Sequence, residues 1–265
     1  MSQWLVLDIG NTHTVAGLYD VGHPGADFSP LLTAQVRYRT DAYATPDEYR
    51  THITQLFGLE AFWGCIERVV ISTVVPALET VVRQACTTAP CLFINSETRR
   101  EFGLDLPHPS QLGADRLANV AGALTLGKGP FLIVDAGTAT TFCLVDSRPS
   151  YIGGAIVPGL ETGWKALQAR AAKLFSVELT RPATSIGRDT ETQLQSGVIL
   201  GHEAVIEGMA DRLLADAARL PGGKFKEPML LATGGCARLL KLSDRFRIEP
   251  ELTLTGLLRY GQLTL

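Results

Sequence analysis

"LVLDIGNTHT" occupies residues 5–14, and "LIVDAGTATT" occupies residues 132–141. Laid on one another without gaps, at an offset of 127, Leu5 meets Leu132, Asp8 meets Asp135, Gly10 meets Gly137 and Thr14 meets Thr141. The positions between agree in kind: Val6 with Ile133, Leu7 with Val134, Val15 with Phe142, Leu18 with Val145. Each copy reads as an apolar strand, Asp-x-Gly, a small polar turn and a second apolar strand, which is the pattern of a hairpin. Chance supplies one Asp-x-Gly pair easily. It supplies the same strand on both sides, near half a chain apart, much less easily. The expected architecture is two similar α/β halves facing each other across a cleft.

Working outward, "RVVISTVVP" (68–76) reads as a buried strand ending at Pro76, and "ALETVVRQACTTA" after it has helical spacing at Val81, Val82 and Ala85. "CLFIN" (91–95) is a further short strand. In the second half, "MLLATGG" (229–235) reads as a strand ending on glycines, with a helix expected over "CARLLKLS". Strands alternating with helices give an α/β fold. "GHPGADFSP" (22–30) and "LPGGKFKEP" (220–228) read as loops, and "YIGGAIVPGLETG" (151–163) as a close-packed turn or an interface. One boundary is expected, between halves 1–117 and 118–265.

The chain has 265 residues, 46% of them hydrophobic, and a net charge of −3. That is enough for an ample core and points to a soluble globular protein. No dense Lys/Arg stripe marks a nucleic-acid or anionic-membrane surface. No apolar run approaches the ~18 residues of a spanning helix, and Asp8 interrupts the first one. The five cysteines are odd in number and lack CxxC pairs, so buried free thiols in a reducing, cytoplasmic compartment are expected.

A turn of Gly, Asn and Thr after a strand offers backbone N–H groups and hydroxyls to one point, which suits phosphate oxygens. Asp8 and Asp135 repel phosphate directly. A carboxylate beside phosphate makes sense with a cation between them, and Mg²⁺ takes one or two carboxylates plus substrate phosphates. The competing account is that each Asp caps its turn. Walker A and GxGxxG patterns are both absent. His13 reads as a surface turn residue.

In "LGADRLANVAGALTLGKG" (112–129), Leu117, Val120, Ala121 and Leu124 recur at helical spacing, so a helix starts near Asp115 and stops near Gly127. Asp115 reads either as its N-cap or as an acceptor of a substrate hydroxyl proton. Arg116 opposes the helix macrodipole there, which suits a guanidinium spent on an anionic or polar ligand group. Thr190 and Gln193 read as a capping box, with the hydroxyl either structural or facing ligand. Lys165, Lys173 and the three tryptophans need no special role.

In this order the pieces resemble the type III pantothenate kinases, of the acetate kinase, sugar kinase, Hsp70 and actin superfamily. The matches are "DIGNT" (8–12), "STVVP" (72–76), "GADR" (113–116), "DAGTATT" (135–141), "IGGAIVPGL" (152–160), "DTETQLQSG" (189–197), "TGG" (233–235) and "LTLTGL" (252–257). The resemblance implies two duplicated ribonuclease-H-like (actin-like ATPase) domains and ATP-dependent phosphorylation of pantothenate, the first step of coenzyme A biosynthesis. It makes Asp8, Ile9, Gly10, Asn11, Thr12, His13, Thr14 and Val15 the first phosphate loop, with Asp8 near Mg²⁺. Thr138 would meet ATP, and Asp135 would ligate a monovalent cation, K⁺ or NH₄⁺. Gly113, Ala114, Asp115 and Arg116 would bind pantothenate, with Asp115 as catalytic proton acceptor. Thr190 would contact pantothenate across a homodimer, and Gly234 and Gly235 would lie near the adenosine. Two departures stand out: Leu106 where many members have tyrosine, and Phe175 where proline is usual. Another small-molecule kinase of the superfamily, or a non-catalytic regulatory paralogue, are the alternatives; the second should have lost one of Asp8, Asp115 or Asp135.

Overall fold

The computed structural model describes residues 2–22, 30–58, 62–170, 177–221 and 225–264. Most of the first expected loop, part of the second, Lys173 and Phe175 lie outside these. By its internal contacts the chain forms two units. One comprises Met1–Glu101, Pro107–Thr125 and Leu252–Leu265; the other comprises Phe102–Leu106 and Leu126–Glu251. The division is not a single cut after Leu117, because the C-terminal segment belongs with the N-terminal strands.

The first unit holds a five-stranded sheet ordered β3-β2-β1-β4-β5, from β1 (Gln3–Ile9), β2 (His13–Asp20), β3 (Leu31–Arg39), β4 (Ile66–Thr73) and β5 (Cys91–Phe93). Its helices are α1 (Pro46–Phe57), α2 (Phe62–Cys65), α3 (Pro76–Ala85), α4 (Ala114–Leu126) and the C-terminal α8 (Leu252–Leu263). Along β1, Leu5, Leu7 and Ile9 join Val69 and Ile71 of β4 in a core with Tyr49 and Ile53 of α1 and Leu78 and Val82 of α3. The opposite face of β1 carries Trp4 and Val6, both buried. There α8 comes so close that a Cβ added at Gly261 would lie 2.6 Å from the Trp4 ring. Burial on both faces explains why β1 reads as a continuous apolar run.

The second unit holds a six-stranded sheet ordered β11-β10-β7-β8-β9-β6. Its strands are β6 (Gly103–Leu104), β7 (Phe131–Ala136), β8 (Ala139–Val145), β9 (Ser150–Pro158), β10 (Met229–Thr233) and β11 (Phe246–Ile248), and its helices are α5 (Leu160–Arg170), α6 (Thr190–Gln195) and α7 (Gly201–Ala218). In each sheet three strands run antiparallel in sequence order and two more join parallel on the far side of the first strand. The duplication therefore holds strand for strand: β1, β2, β3, β4 and β5 correspond to β7, β8, β9, β10 and β11. β6 is an addition, parallel to β9.

Four sequence readings are corrected. The gapless overlay fails in the turn: Asp8 faces Val15 across its hairpin, but Asp135 faces Thr141. The first link is residues 10–12 and the second only 137–138, so Thr141 is the counterpart of Val15, not of Thr14. "CARLLKLS" forms only a short 3₁₀ turn, Ala237–Leu239. Cys236 N–H donates to the carbonyl of Ala136 at 2.9 Å, and Leu240 is already extended, which leaves no room for a longer helix. "YIGGAIVPGLETG" is strand β9 running into α5. It passes as a strand because a side chain at Gly154 would overlap the Phe142 carbonyl of β8. The capping box at 189–195 uses other residues than expected, as described below.

Two elements carry signals the sequence reading did not use. β3 alternates half-buried with exposed residues throughout, and α1 opens on a Thr45–Glu48 capping box with Pro46 at its first turn. The three tryptophans are buried, Lys165 pairs with Glu161 on an exposed helix face, and none of the five cysteines forms a disulfide, Cys65 being exposed rather than buried as expected. Among the described residues no helix is long and apolar enough to cross a membrane.

Candidate active site

Asp8 and Asp135 each stand one residue before the end of their strand, half-buried, where the period of two puts them on the face opposite Leu7 and Ile9, and opposite Val134 and Ala136. They are strand residues rather than turn caps. In the first hairpin the side chains of Ile9 and Thr14 face the core, at 1% and 0% exposure, so only their backbone is available to a ligand. Asn11 is exposed, and Gly10, Thr12, His13 and Val15 are half-buried. Gly10 N–H closes the turn on the His13 carbonyl at 3.1 Å, and a Cβ at Gly10 would lie 3.0 Å from that oxygen.

Sequence reasoning missed the residue that fastens this loop. The Thr40 hydroxyl donates to the Gly10 carbonyl at 2.7 Å and lies 2.9 Å from the Thr14 hydroxyl, while Thr40 N–H donates to the Thr12 carbonyl at 3.0 Å. Thr40→Val keeps the shape and removes the hydroxyl bonds. We expect a loss of about 1 kcal/mol of stability, the worth of about one hydrogen bond; thermal unfolding of the variant beside the parent checks this.

The second turn is held from α5. The Gly159 N–H and the Thr162 hydroxyl both donate to the Thr138 carbonyl, at 3.1 and 2.6 Å. Gly159 has no space for a Cβ, which would overlap the carbonyls of Gly137 and Thr138. This leaves the Thr138 side chain exposed. Gly234, at φ +95°, passes so close to Asp135 that a side chain there would overlap its Oδ1. Behind the turn, Thr140 is wholly buried and its hydroxyl lies 2.9 Å from His202 Nε2. Burial lowers the His202 pKa, which keeps the ring neutral at neutral pH.

The "GADR" segment opens α4, which starts at Ala114, so Asp115 is in the first turn and is not the cap. Its Oδ1 accepts from Arg116 N–H at 2.8 Å and packs on Gly113, where a side chain would overlap it. The Asp115 carboxylate makes no other hydrogen bond among the described residues, and the Arg116 guanidinium makes none; both residues are half-buried. Val74 N–H donates to the Ile9 carbonyl at 3.1 Å, and a Cβ at Gly113 would lie 3.8 Å from the Val74 side chain. Those contacts set Gly113–Arg116 beside the end of β1, within the unit that carries Asp8.

The capping box at α6 is made by Asp189 and Thr192: Asp189 Oδ1 accepts from Thr192 N–H at 2.8 Å, and Thr192 Oγ1 takes the Asp189 N–H at 3.3 Å. A carboxylate is a strong cap and complements the macrodipole. Thr190 is thereby released from the structural role expected of it. It is exposed and its hydroxyl makes no hydrogen bond among the described residues.

The donor set suits a hard divalent cation, which takes carboxylate oxygens, phosphate and water. Among the described residues no group of three or more His, Cys, Asp or Glu could enclose a metal.

The family model described as type III pantothenate kinase matches residues 4–212. A type III pantothenate kinase from Bacillus cytotoxicus is 34% identical over 259 residues, covering 95% of this chain and 93% of that protein. Among solved structures, a Baf family transcriptional activator from Campylobacter jejuni superposes with a TM-score of 0.57 at 20% identity, over 98% of each chain. The activator of 2-hydroxyisocaproyl-CoA dehydratase from Clostridium difficile, with bound ADPNP, gives 0.53 at 10% identity, over 99% of this chain and 96% of that one. At these identities the structural likeness is one of fold alone, the two-sheet α/β architecture described above.

Proposed function

Since the chain belongs to the type III pantothenate kinase family, we propose how its residues divide the work of that family's reaction. The reaction is ATP-dependent phosphorylation of pantothenate in coenzyme A biosynthesis, and a kinase of this kind works with a divalent metal. The metal, when bound with ATP, offsets charge on the phosphates.

Asp115 is the base. As the primary hydroxyl of pantothenate forms its bond to the γ-phosphorus, the bond from that phosphorus to the bridging oxygen breaks. ADP leaves with the electron pair, and the hydroxyl proton passes to Asp115. The product is 4′-phosphopantothenate. The observation that carries this reading is the first turn of α4, where two half-buried residues adjacent in the chain, Asp115 and Arg116, keep side-chain bonding capacity left over. A structural cap stands before the helix; Asp115 stands inside the first turn, spends Oδ1 on the Arg116 amide and has no bond at Oδ2 among the described residues. Arg116 holds a polar or anionic group of pantothenate, with Gly113 and Ala114 shaping the approach.

Residues 8–15 hold ATP phosphates through backbone and hydroxyl donors, with Asp8 on the divalent metal, and Thr138 meets ATP from the second turn. Asp135 ligates K⁺ or NH₄⁺. Thr190, its hydroxyl unspent, reaches the pantothenate of the partner subunit in a homodimer. The compartment that fits is the cytoplasm. For Asp8→Ala we expect nucleotide affinity to fall at least ~10-fold, the value of one charge-assisted contact. An unchanged Mg·ATP titration would remove Asp8 from the site. Incubating the protein with ATP, Mg²⁺ and pantothenate tests the assignment directly. Phosphopantothenate should form faster in potassium than in sodium buffer; equal rates would remove the monovalent cation.

A further inference from the structure

Three hydroxyls stand beside the two aspartates, and two of them, Ser72 Oγ and Thr141 Oγ1, are buried without a hydrogen-bond partner among the described residues. Ser72 is the register partner of Asp8 on the parallel strand β4 and is fully buried, at 0% exposure. Its Oγ has no hydrogen-bond partner. Thr233 is the register partner of Asp135 on the parallel strand β10, so in the duplicated topology it occupies the position of Ser72. It is 1% exposed, and its hydroxyl makes no hydrogen bond among the described residues. Thr141, facing Asp135 from β8, is 9% exposed with an unpartnered Oγ1.

Stability alone would not choose these side chains. A buried unpaired hydroxyl carries a desolvation cost, whereas an apolar group of the same shape is neutral or stabilising. Val70, two residues before Ser72 on the same face of β4, shows that the face accepts an apolar residue, at 0% exposure. Register partners project from the same face of a sheet, and neighbouring strands lie about 4.8 Å apart, so a short hydroxyl and a carboxylate meet by side-chain rotation alone. The pairing of a hydroxyl with the aspartate on the neighbouring parallel strand recurs at the equivalent position of the second unit.

We propose that Ser72 is a positioning residue for Asp8, and that Thr233 and Thr141 serve Asp135 in the same way, each hydroxyl donating to the carboxylate when cation and nucleotide are bound. That bond fixes which carboxylate oxygen is turned to the cation. The proposal rests on the assignment of Asp8 and Asp135 to cation-linked nucleotide binding.

The test uses Ser72→Ala and Ser72→Cys, the second to preserve volume, with Thr141→Val and Thr233→Val as isosteric changes and Asp8→Asn as reference. Thermal midpoints are read for the protein alone and with Mg²⁺ and a non-hydrolysable ATP analogue. The Ser72 variants should match or exceed the parent when alone, yet bind the Mg²⁺-nucleotide about 10-fold more weakly. The two threonine variants should raise the K⁺ concentration needed for half-maximal nucleotide binding several-fold. Parental affinity in both Ser72 variants, with affinity lost in Asp8→Asn, would overturn the positioning role and leave the assignment of Asp8 standing. Parental affinity in Asp8→Asn would overturn that assignment and the proposal with it. Lowered midpoints of both Ser72 variants alone would show a hydroxyl bonded within the folded protein, and would also overturn it.

Discussion

Asp115→Asn is expected to lower kcat by ~10²–10⁴-fold, the usual contribution of a positioned general base, while the protein folds and binds ATP as before. The structure explains why the two effects should separate. Asparagine keeps an oxygen at the Oδ1 position, so the contact with Arg116 N–H and the packing on Gly113 survive. What is lost is the capacity to take a proton. KM for pantothenate should change little, because a group used mainly in the transition state affects kcat more than ground-state binding. Steady-state kinetics beside an ATP titration check the point; a variant that turned over like the parent would remove Asp115 as base.

Gly159→Ala should cost ~3 kcal/mol, near the upper end for overpacking, or about 6–12 °C in Tm. The added methyl would meet two backbone carbonyls, Gly137 and Thr138, neither of which can rotate aside. Relief requires α5 to withdraw, which breaks the Gly159 N–H bond to Thr138 and displaces the turn assigned to ATP. Nucleotide affinity should therefore fall together with stability. Gly163→Ala, four residues on in α5, is the control. Among the described residues no atom outside the helix's own backbone lies within 4 Å of a Cβ there, so the helix should gain slightly from the better helix former. Differential scanning calorimetry with and without nucleotide distinguishes the two variants.

Much of this was legible in the residues. A carboxylate ending an apolar strand, twice, marked the two hairpins, because such a run otherwise ends on a turn residue. The periodicity of Leu117, Val120, Ala121 and Leu124 placed α4 and so set Asp115 and Arg116 in its first turn. The turn lengths were not legible. Identical spacing of Asp-x-Gly concealed that one link is a residue shorter, and only the ladder of hydrogen bonds shows which residue faces Asp135. The cap at α6 was misread by one residue because Asp189 and Thr190 are both good caps by composition, and backbone geometry alone decides between them. Thr40 lies 30 residues from the carbonyl it holds, and no local pattern joins them. Ser72 sits inside an apolar run where a small hydroxyl looks ordinary; its isolation is a fact of three dimensions.

The chain's return to its first sheet sets an order of assembly during synthesis. Most of the second unit is one continuous stretch, Leu126–Glu251, and can close as soon as it leaves the ribosome. The first cannot: Trp4 and Val70 wait for α8, whose Gly256 lies tight against the Ala118 carbonyl and whose Gly261 seats on the Trp4 ring. The part translated earlier is thus finished later. Through that interval a greasy strand face is left for chaperones to shield, and a nascent chain arrested near residue 251 would present it to proteolysis.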